Sequence, residues 1–408
     1  MGRLKVFLNG ELTGVLDLRK DNYMGFTYEE SRLSKNTALP LSRSLPLQEG
    51  RFNHKQARPF FAGVLPEGDP RASVAALLGI SEENDFELLS SLGGDCAGAV
   101  TLLPEDETPQ LIDARIRHLE DAELAKIVQD LPNRPFLADE EGIRLSLAGA
   151  QGKLPVVCSG DSIGLPLGNT PSTHIIKPEP TRFPGLVANE AFCMRLAKAV
   201  GLEVPEVRVI HAGDTPCLLV ERYDRSVNKE NQSVRIHQED FCQALGIIPE
   251  KKYQKEGGPS LQDSVRLIRV WSSAPVFDVP RFVDAVIFNA LIGNADAHGK
   301  NYSFLYTDDG KRRLAPSYDL VCTLAWSQLT KGLAMRIGSA EYVTEVTTRH
   351  IEQFAEKNNL GKGLVRDRIS RIVGTASTII DRLSDANQDE PVIQKMREIL
   401  HNRIKHLQ

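Results

Sequence analysis

The apolar pattern changes period partway along the chain, and that change limits the folds open to it. Up to about residue 235, apolar residues come in short runs broken by Gly and Pro, as strands require. From Gln238 onward they recur at helical spacing, in segments 240–246, 261–272, 279–293, 347–358, 365–383 and 392–406. A β-rich half followed by a helical half predicts an α+β fold with two lobes. At 408 residues the chain is too long for one ordinary core, so two or three domains are expected. Apolar residues at 41% and charged residues at 25% exclude wholesale disorder, collagen and coiled coil.

Local signals fill in this outline. Asn9-Gly10 sits between two extended apolar runs and predicts a hairpin, because both residues tolerate positive φ. Pro40, Pro46, Pro59, Pro66 and Pro70 then mark a loop-rich stretch. Short helices are expected from residue 69 or 70 to 78 and over 83–92, then a strand over 97–103 and an acidic linker at 104–109. The middle of the chain reads as short strands, among them 173–177, 207–211 and 217–221, with one helix over 186–200. A hairpin of 302–306 and 312–315 around Asp308-Asp309-Gly310 interrupts the helical half. The expected division is 1–105, 106–235 and 236–408.

Composition removes some functions. With 49 basic and 54 acidic residues the formal charge is −5, so no global field draws in nucleic acid. The six cysteines form no CxxC pair and no zinc spacing with histidine. They read as small buried apolar residues of a reducing compartment. The start of the chain has no apolar leader, and the most apolar helical stretch, 282–292, is interrupted by Asp284 and too short for a bilayer. A cytoplasmic protein without membrane partners is expected.

The most specific chemistry lies in Asp296-Ala-His298-Gly299-Lys300-Asn301. In phosphoryl transfer an Asp can accept a hydroxyl proton while an Asn five residues on reaches nucleotide-bound Mg²⁺, and Asp319 after the hairpin supplies a second hard oxygen ligand. Asp and Asn are also ordinary turn formers, so order along the chain matters. Upstream, Ala148-Gly149-Ala150-Gln151-Gly152-Lys153 is a small-residue turn. Its amides could approach phosphates, or it could be a plain hairpin. Lys177 ends an apolar strand, where it could neutralise phosphate, with Glu190 as a possible partner, or merely reach solvent. The run Glu221-Arg222-Tyr223-Asp224-Arg225 leaves a strand as a kinase hinge would, or as a solvated strand end does.

Several ungapped segments, in order, resemble HipA, the serine/threonine-kinase toxins of bacterial HipBA toxin–antitoxin modules. They are Leu65-Pro-Glu-Gly-Asp69, Leu92-Gly-Gly-Asp-Cys-Ala-Gly-Ala-Val100, Ser146-Leu-Ala-Gly-Ala-Gln-Gly-Lys153, Thr173-His-Ile-Ile-Lys177 and Gly293-Asn-Ala-Asp-Ala-His-Gly-Lys-Asn301. The resemblance spans essentially the whole chain. It implies a two-lobed protein-kinase-like fold whose catalytic loop is of the lipid-kinase form, with an N-terminal subdomain, an N-lobe and a helical C-lobe. It implies ATP and Mg²⁺, with Asp296 as catalytic base and Asn301 and Asp319 as metal ligands. Ala148 to Lys153 would be the phosphate loop. Lys177 would contact phosphates, Glu221, Arg222 and Tyr223 would line the adenine hinge, and His298, Gly299, Lys300 and Tyr318 would complete the nucleotide pocket. Ser146 would be the autophosphorylated serine, and its modification would silence the enzyme. The implied partners are a HipB-like helix-turn-helix antitoxin, operator DNA through it, and an aminoacyl-tRNA synthetase substrate, glutamyl-tRNA synthetase favoured, whose loss stalls translation.

Two positions depart from the family pattern. Gly152 stands where a Glu often precedes the loop Lys. Residues 339–346, near where a lysine-rich DNA-contacting tract would fall, hold two acids and no Lys. Lys395, Arg397, Arg403 and Lys405 form an alternative basic face on the last helix, or simply a solvated one. A lipid or small-molecule kinase, and a non-catalytic corepressor of a helix-turn-helix protein, are the competing functions.

Overall fold

The computed structural model describes residues 2–20, 23–109, 115–140, 142–307, 309–385 and 390–408, so Asp308 of the expected turn lies outside the described residues. The chain forms two compact units, each drawn from separate stretches of sequence. The first comprises Met1–Pro178, Ile210–Pro249 and Leu305–Lys311, the second Glu179–Val209, Glu250–Phe304 and Arg312–Gln408.

The first unit is built on two sheets. In one, β1 (Arg3–Leu8), β2 (Glu11–Leu18), β3 (Met24–Tyr28), β4 (Arg51–Phe52) and β5 (Val100–Pro104) lie in the order β4-β3-β2-β1-β5. The Asn-Gly hairpin forms as expected. Leu8 pairs with Glu11, and Asn9 and Gly10 both take positive φ, 52° and 77°. The other sheet holds β6 (Arg115–His118), β7 (Leu154–Ser159), β8 (Ser162–Leu167), β9 (His174–Pro178), β10 (Val207–Ala212) and β11 (Thr215–Glu221), ordered β10-β11-β9-β7-β8-β6.

The proline-rich stretch is more ordered than its composition suggests. His54–Gly63 is a helix, started by a reciprocal capping box between Asn53 and Gln56 and continuing through Pro59. It places Phe60 and Phe61 fully inside the core, with the Phe61 ring 5.4 Å from that of Phe26. A second unexpected helix, Asp121–Asp130, falls in the stretch read as strands.

Helices dominate the second unit: Leu186–Ala199, Leu261–Trp271, Pro275–Ile292, Thr348–Lys357, Lys362–Asp385 and Pro391–Leu407. Each lies within a few residues of its expected span. Pro275–Ile292 starts earliest relative to expectation, because Pro275 at its first position needs no amide partner. The proposed basic face of the last helix requires a correction. Arg403 is buried, donating from Nε to Ala290 O at 3.0 Å and from Nη2 to Val346 O at 2.8 Å. Burial pushes its pKa down to about 10. It therefore ties the end of Pro275–Ile292 in place and presents no charge to a partner.

All six cysteines are free thiols, five of them buried. Among the described residues, no helix is long and apolar enough to cross a membrane, and no group of three or more His, Cys, Asp or Glu is arranged to hold a metal ion.

Candidate active site

In the second unit the chain turns sharply where Pro275–Ile292 ends. Gly293 takes the left-handed conformation at φ 71°, and a Cβ there would lie 2.6 Å from Leu324 Cδ1. The turn is then fastened by side chains. Asn294 Nδ2 donates to Asn289 Oδ1 at 2.7 Å, and Asn294 Oδ1 accepts the Asp296 amide at 2.9 Å. Thr323 Oγ1 accepts the Ala295 amide at 2.9 Å and donates to Gly293 O at 3.0 Å. Buried polar groups paired in this way over-determine the backbone, so the Asp296 main chain is fixed.

Asp296 itself is exposed, so its carboxylate can be reached from solvent. Its Oδ1 accepts a hydrogen bond from Tyr253 Oη at 2.9 Å. His298, Lys300 and Asn301 behind it are buried. Asn301 Nδ2 lies 3.2 Å from Asp319 Oδ2, so the amide and carboxylate separated by eighteen residues are adjacent in space. Asp319 sits at φ 58°, a strained conformation for a non-glycine residue and one found at functional turns. Tyr318 secures it, since its Oη donates to Lys300 O at 2.7 Å and lies 2.7 Å from Ser303 Oγ. Asn301 Oδ1 is buried without a hydrogen-bond partner, which is costly unless something else claims it. An open amide oxygen on a side chain whose nitrogen touches a carboxylate offers the kind of hard oxygen ligands a divalent cation takes, the rest coming from water and phosphate.

The first unit carries the other expected residues. Ser146 is fully buried. Its Oγ donates to Val64 O at 2.8 Å and its amide to Asp95 O at 3.1 Å. The following turn is compact. Gly149 takes φ 108° and pairs with Pro66, the Glu67 amide donates to Gly149 O, and Lys153 Nζ caps Ala148 O at 2.7 Å. Ala150 and Gln151 lie within this turn. A Cβ on Gly152 would meet nothing within 4 Å, so the departure from Glu at this position has no steric cause. Lys177 is buried on β9, opposite Leu218 of β11.

The hinge segment needs its reading refined. Glu221 is exposed at the end of β11, and Tyr223 Oη donates to Gln238 Oε1 at 2.6 Å. Arg222 and Asp224, however, are buried and not solvated. The Arg222 guanidinium forks onto Asp224 at 3.0 and 2.8 Å and reaches Asp95 Oδ2 at 3.3 Å. Arg225 and Arg235 also hold Asp95, at 2.9 and 3.0 Å. Burial alone would raise the Asp95 pKa, but the three guanidiniums outweigh it and hold the carboxyl well below its usual range. The Arg222 side chain is thus consumed by this cluster, and its amide donates to Thr173 O at 2.9 Å.

Two residues with structural claims on these sites escaped the sequence reading. Tyr253 lies 43 residues before Asp296, inside an unremarkable Lys-rich segment. Asp95 was visible only within the Leu92–Val100 motif, and its arginine partners are 127 to 140 residues away.

Comparison with known proteins fixes the class. The HipA-like C-terminal domain profile matches residues 145–382, and the HipA N-terminal domain profile matches 4–103. The protein Y4mE of Sinorhizobium fredii is 45% identical over 95% of this chain and 93% of its own length. The serine/threonine-protein kinase toxin HipA of Shewanella oneidensis is 33% identical over 83% of this chain and 79% of its own. A chain of the Shewanella oneidensis HipA, HipB and operator DNA complex superposes with a TM-score of 0.85 at 28% identity, covering 99% of this chain and 97% of that one. The fold is therefore two-lobed and kinase-like, with a β-rich N-terminal region and a helical C-terminal region, and the activity is that of a serine/threonine protein kinase. The chain belongs to the HipA-like toxin kinase family.

Proposed function

We propose that this chain uses ATP and Mg²⁺ to phosphorylate serine on a protein of the translation machinery, and that Asp296 is its catalytic base. The observation that carries the reading is the amide–carboxylate pair of Asn301 and Asp319, with the otherwise unclaimed Asn301 Oδ1, on the same fastened loops as an exposed Asp296. Asn301 and Asp319 would hold Mg²⁺, which when bound neutralises phosphate charge in the transition state. Asp296 would orient the acceptor hydroxyl and take its proton. The amides of Ala148 to Lys153, together with Lys177, would neutralise phosphate oxygens, and Glu221 to Tyr223 would offer backbone to the base. His298, Gly299, Lys300 and Tyr318 would shape the rest of the nucleotide site.

Ser146 would be the regulatory site. Its phosphorylation adds nearly two negative charges to a hydroxyl that is fully buried, so the modified loop would have to leave its place and the enzyme would fall silent. The HipB and operator DNA of the Shewanella complex support a HipB-like helix-turn-helix antitoxin as partner, with operator DNA reached through it. An aminoacyl-tRNA synthetase, glutamyl-tRNA synthetase first, is the favoured substrate in the cytoplasm. Segments 1–105, 106–235 and 236–408 would be the N-terminal subdomain, N-lobe and C-lobe.

Asp296→Gln is expected to lower label transfer from γ-labelled ATP by at least a hundredfold while ATP affinity stays within a few-fold. Equal labelling by the variant would remove Asp296 from the role of base. Phosphoproteomics of cells briefly expressing wild type or Asp296→Gln addresses the substrate. A synthetase phosphoserine present only with wild type is the expected result, and its absence would reject that substrate.

A further inference from the structure

We propose that Tyr253 is a positioning residue that aims the Asp296 carboxylate through its phenolic hydroxyl; this rests on Asp296 being the base. The turn around residues 293–301 fixes the Asp296 backbone, while the aim of its exposed carboxylate depends on what its oxygens meet. Tyr253 Oη donates to Asp296 Oδ1 at 2.9 Å. A general base must present its oxygen to the acceptor in one direction, and small misplacements cost rate steeply.

Tyr253 is itself held firmly enough to act as a reference point. Its ring meets the buried His298 ring edge-on, with centroids 5.5 Å apart. The next residue, Gln254, accepts the Arg336 amide through Oε1 at 2.8 Å, tying the segment to the strand Gly332–Ile337. The Tyr253 carbonyl accepts the amides of Glu256 and Gly258, both at 2.9 Å. Gly258 closes this turn so tightly that a Cβ there would lie 2.4 Å from Lys251 O. Lys252 Nζ stands 5.6 Å from the Tyr253 ring centroid. The hydroxyl that reaches the base therefore projects from a braced aromatic.

A phenol in this place could instead block the acceptor, and the two roles move the rate in opposite directions. The test uses the full chain and measures its self-labelling from γ-labelled ATP, with maximal rate and half-saturating ATP determined separately. Tyr253→Phe keeps the ring on His298 and removes only the hydroxyl. The expected result is a maximal rate roughly tenfold to a hundredfold lower, with half-saturating ATP within twofold and an unchanged thermal midpoint. In an Asp296→Asn background the same substitution is expected to change the residual rate by less than twofold, because the two side chains act as one unit.

An unchanged or faster Tyr253→Phe enzyme would overturn the proposal, the faster one revealing a plug. A slowing of equal size in both backgrounds, or one carried by ATP half-saturation or lost stability, would also overturn it and leave Tyr253 a structural residue. A wild-type chain that binds ATP yet transfers no label would instead defeat the kinase reading on which the proposal stands.

Discussion

Two glycine-bearing turns carry the residues that phosphoryl transfer would use, and they are fastened in different ways. The turn at 293–301 is held by side chains close in sequence, with Thr323 only 30 residues from the Gly293 carbonyl it caps and Asp319 only 18 from Asn301. The turn after Ser146 is held by partners far upstream. Its serine hydroxyl bonds Val64 O, 82 residues away, and its amide bonds Asp95 O. The first is locked by many short-range pairs that reinforce one another. The second depends on a few long-range bonds, and the anchor Asp95 is kept in place by buried charge. One turn is built to stay, the other to be held only while its anchor holds.

The largest break in this contrast comes from the anchor. Asp95→Asn removes one partner of a buried ionic cluster and leaves three guanidiniums facing one carboxylate. A loss of about 3–5 kcal/mol in urea unfolding is expected. The pH dependence has a definite sign. The Asp95 carboxyl is held below its ordinary value in the folded chain, so its stabilisation is present above the unfolded pKa and is lost as pH falls through the folded one. Wild type should therefore lose stability steeply on acidification below about pH 4, and Asp95→Asn should show a flatter profile. A wild-type slope equal to that of the variant would count against the cluster as an anchor.

A medium effect is expected in the locked turn. Gly293→Ala meets both a left-handed backbone and the Leu324 side chain, and should cost about 2 kcal/mol, read as a lowered unfolding midpoint. The smallest effect is reserved for the other turn. Gly152→Glu enters open space and should change stability by less than about 0.5 kcal/mol, which thermal unfolding would check. If Gly152→Glu proved as harmful as Gly293→Ala, the two turns would not differ in the way described.

Local order was well encoded, and distant pairing was not. Asn9-Gly10 announced its hairpin because a two-residue turn needs positive φ at both positions, and the helices of the second unit followed from their apolar period. The Asp-x-His-x-x-Asn turn and Asp319 could be placed because their spacing is short. The helix His54–Gly63 was hidden by Pro59, a residue that argues against helix wherever tertiary packing does not overrule it, as Phe60 and Phe61 do here. Arg222 was read as a hinge residue or a solvated strand end, and Arg403 as part of a basic or solvated face, because a charged residue reveals nothing about a carboxylate 127 residues away or a carbonyl 113 residues away. Tyr253 went unnoticed for the same reason. Its importance lies in what the fold brings to it.

The enclosure of Ser146 has a consequence for timing. With Ser146 as the proposed modification site, whatever delivers a phosphoryl group to its hydroxyl would have to wait until the hydroxyl's bond to Val64 O and the amide's bond to Asp95 O had opened. The pace of that modification would be capped by how often this short stretch of chain comes loose. Substitutions far from any nucleotide, in the strand edge or the arginine cluster, would then set the clock by which such an enzyme switches itself off.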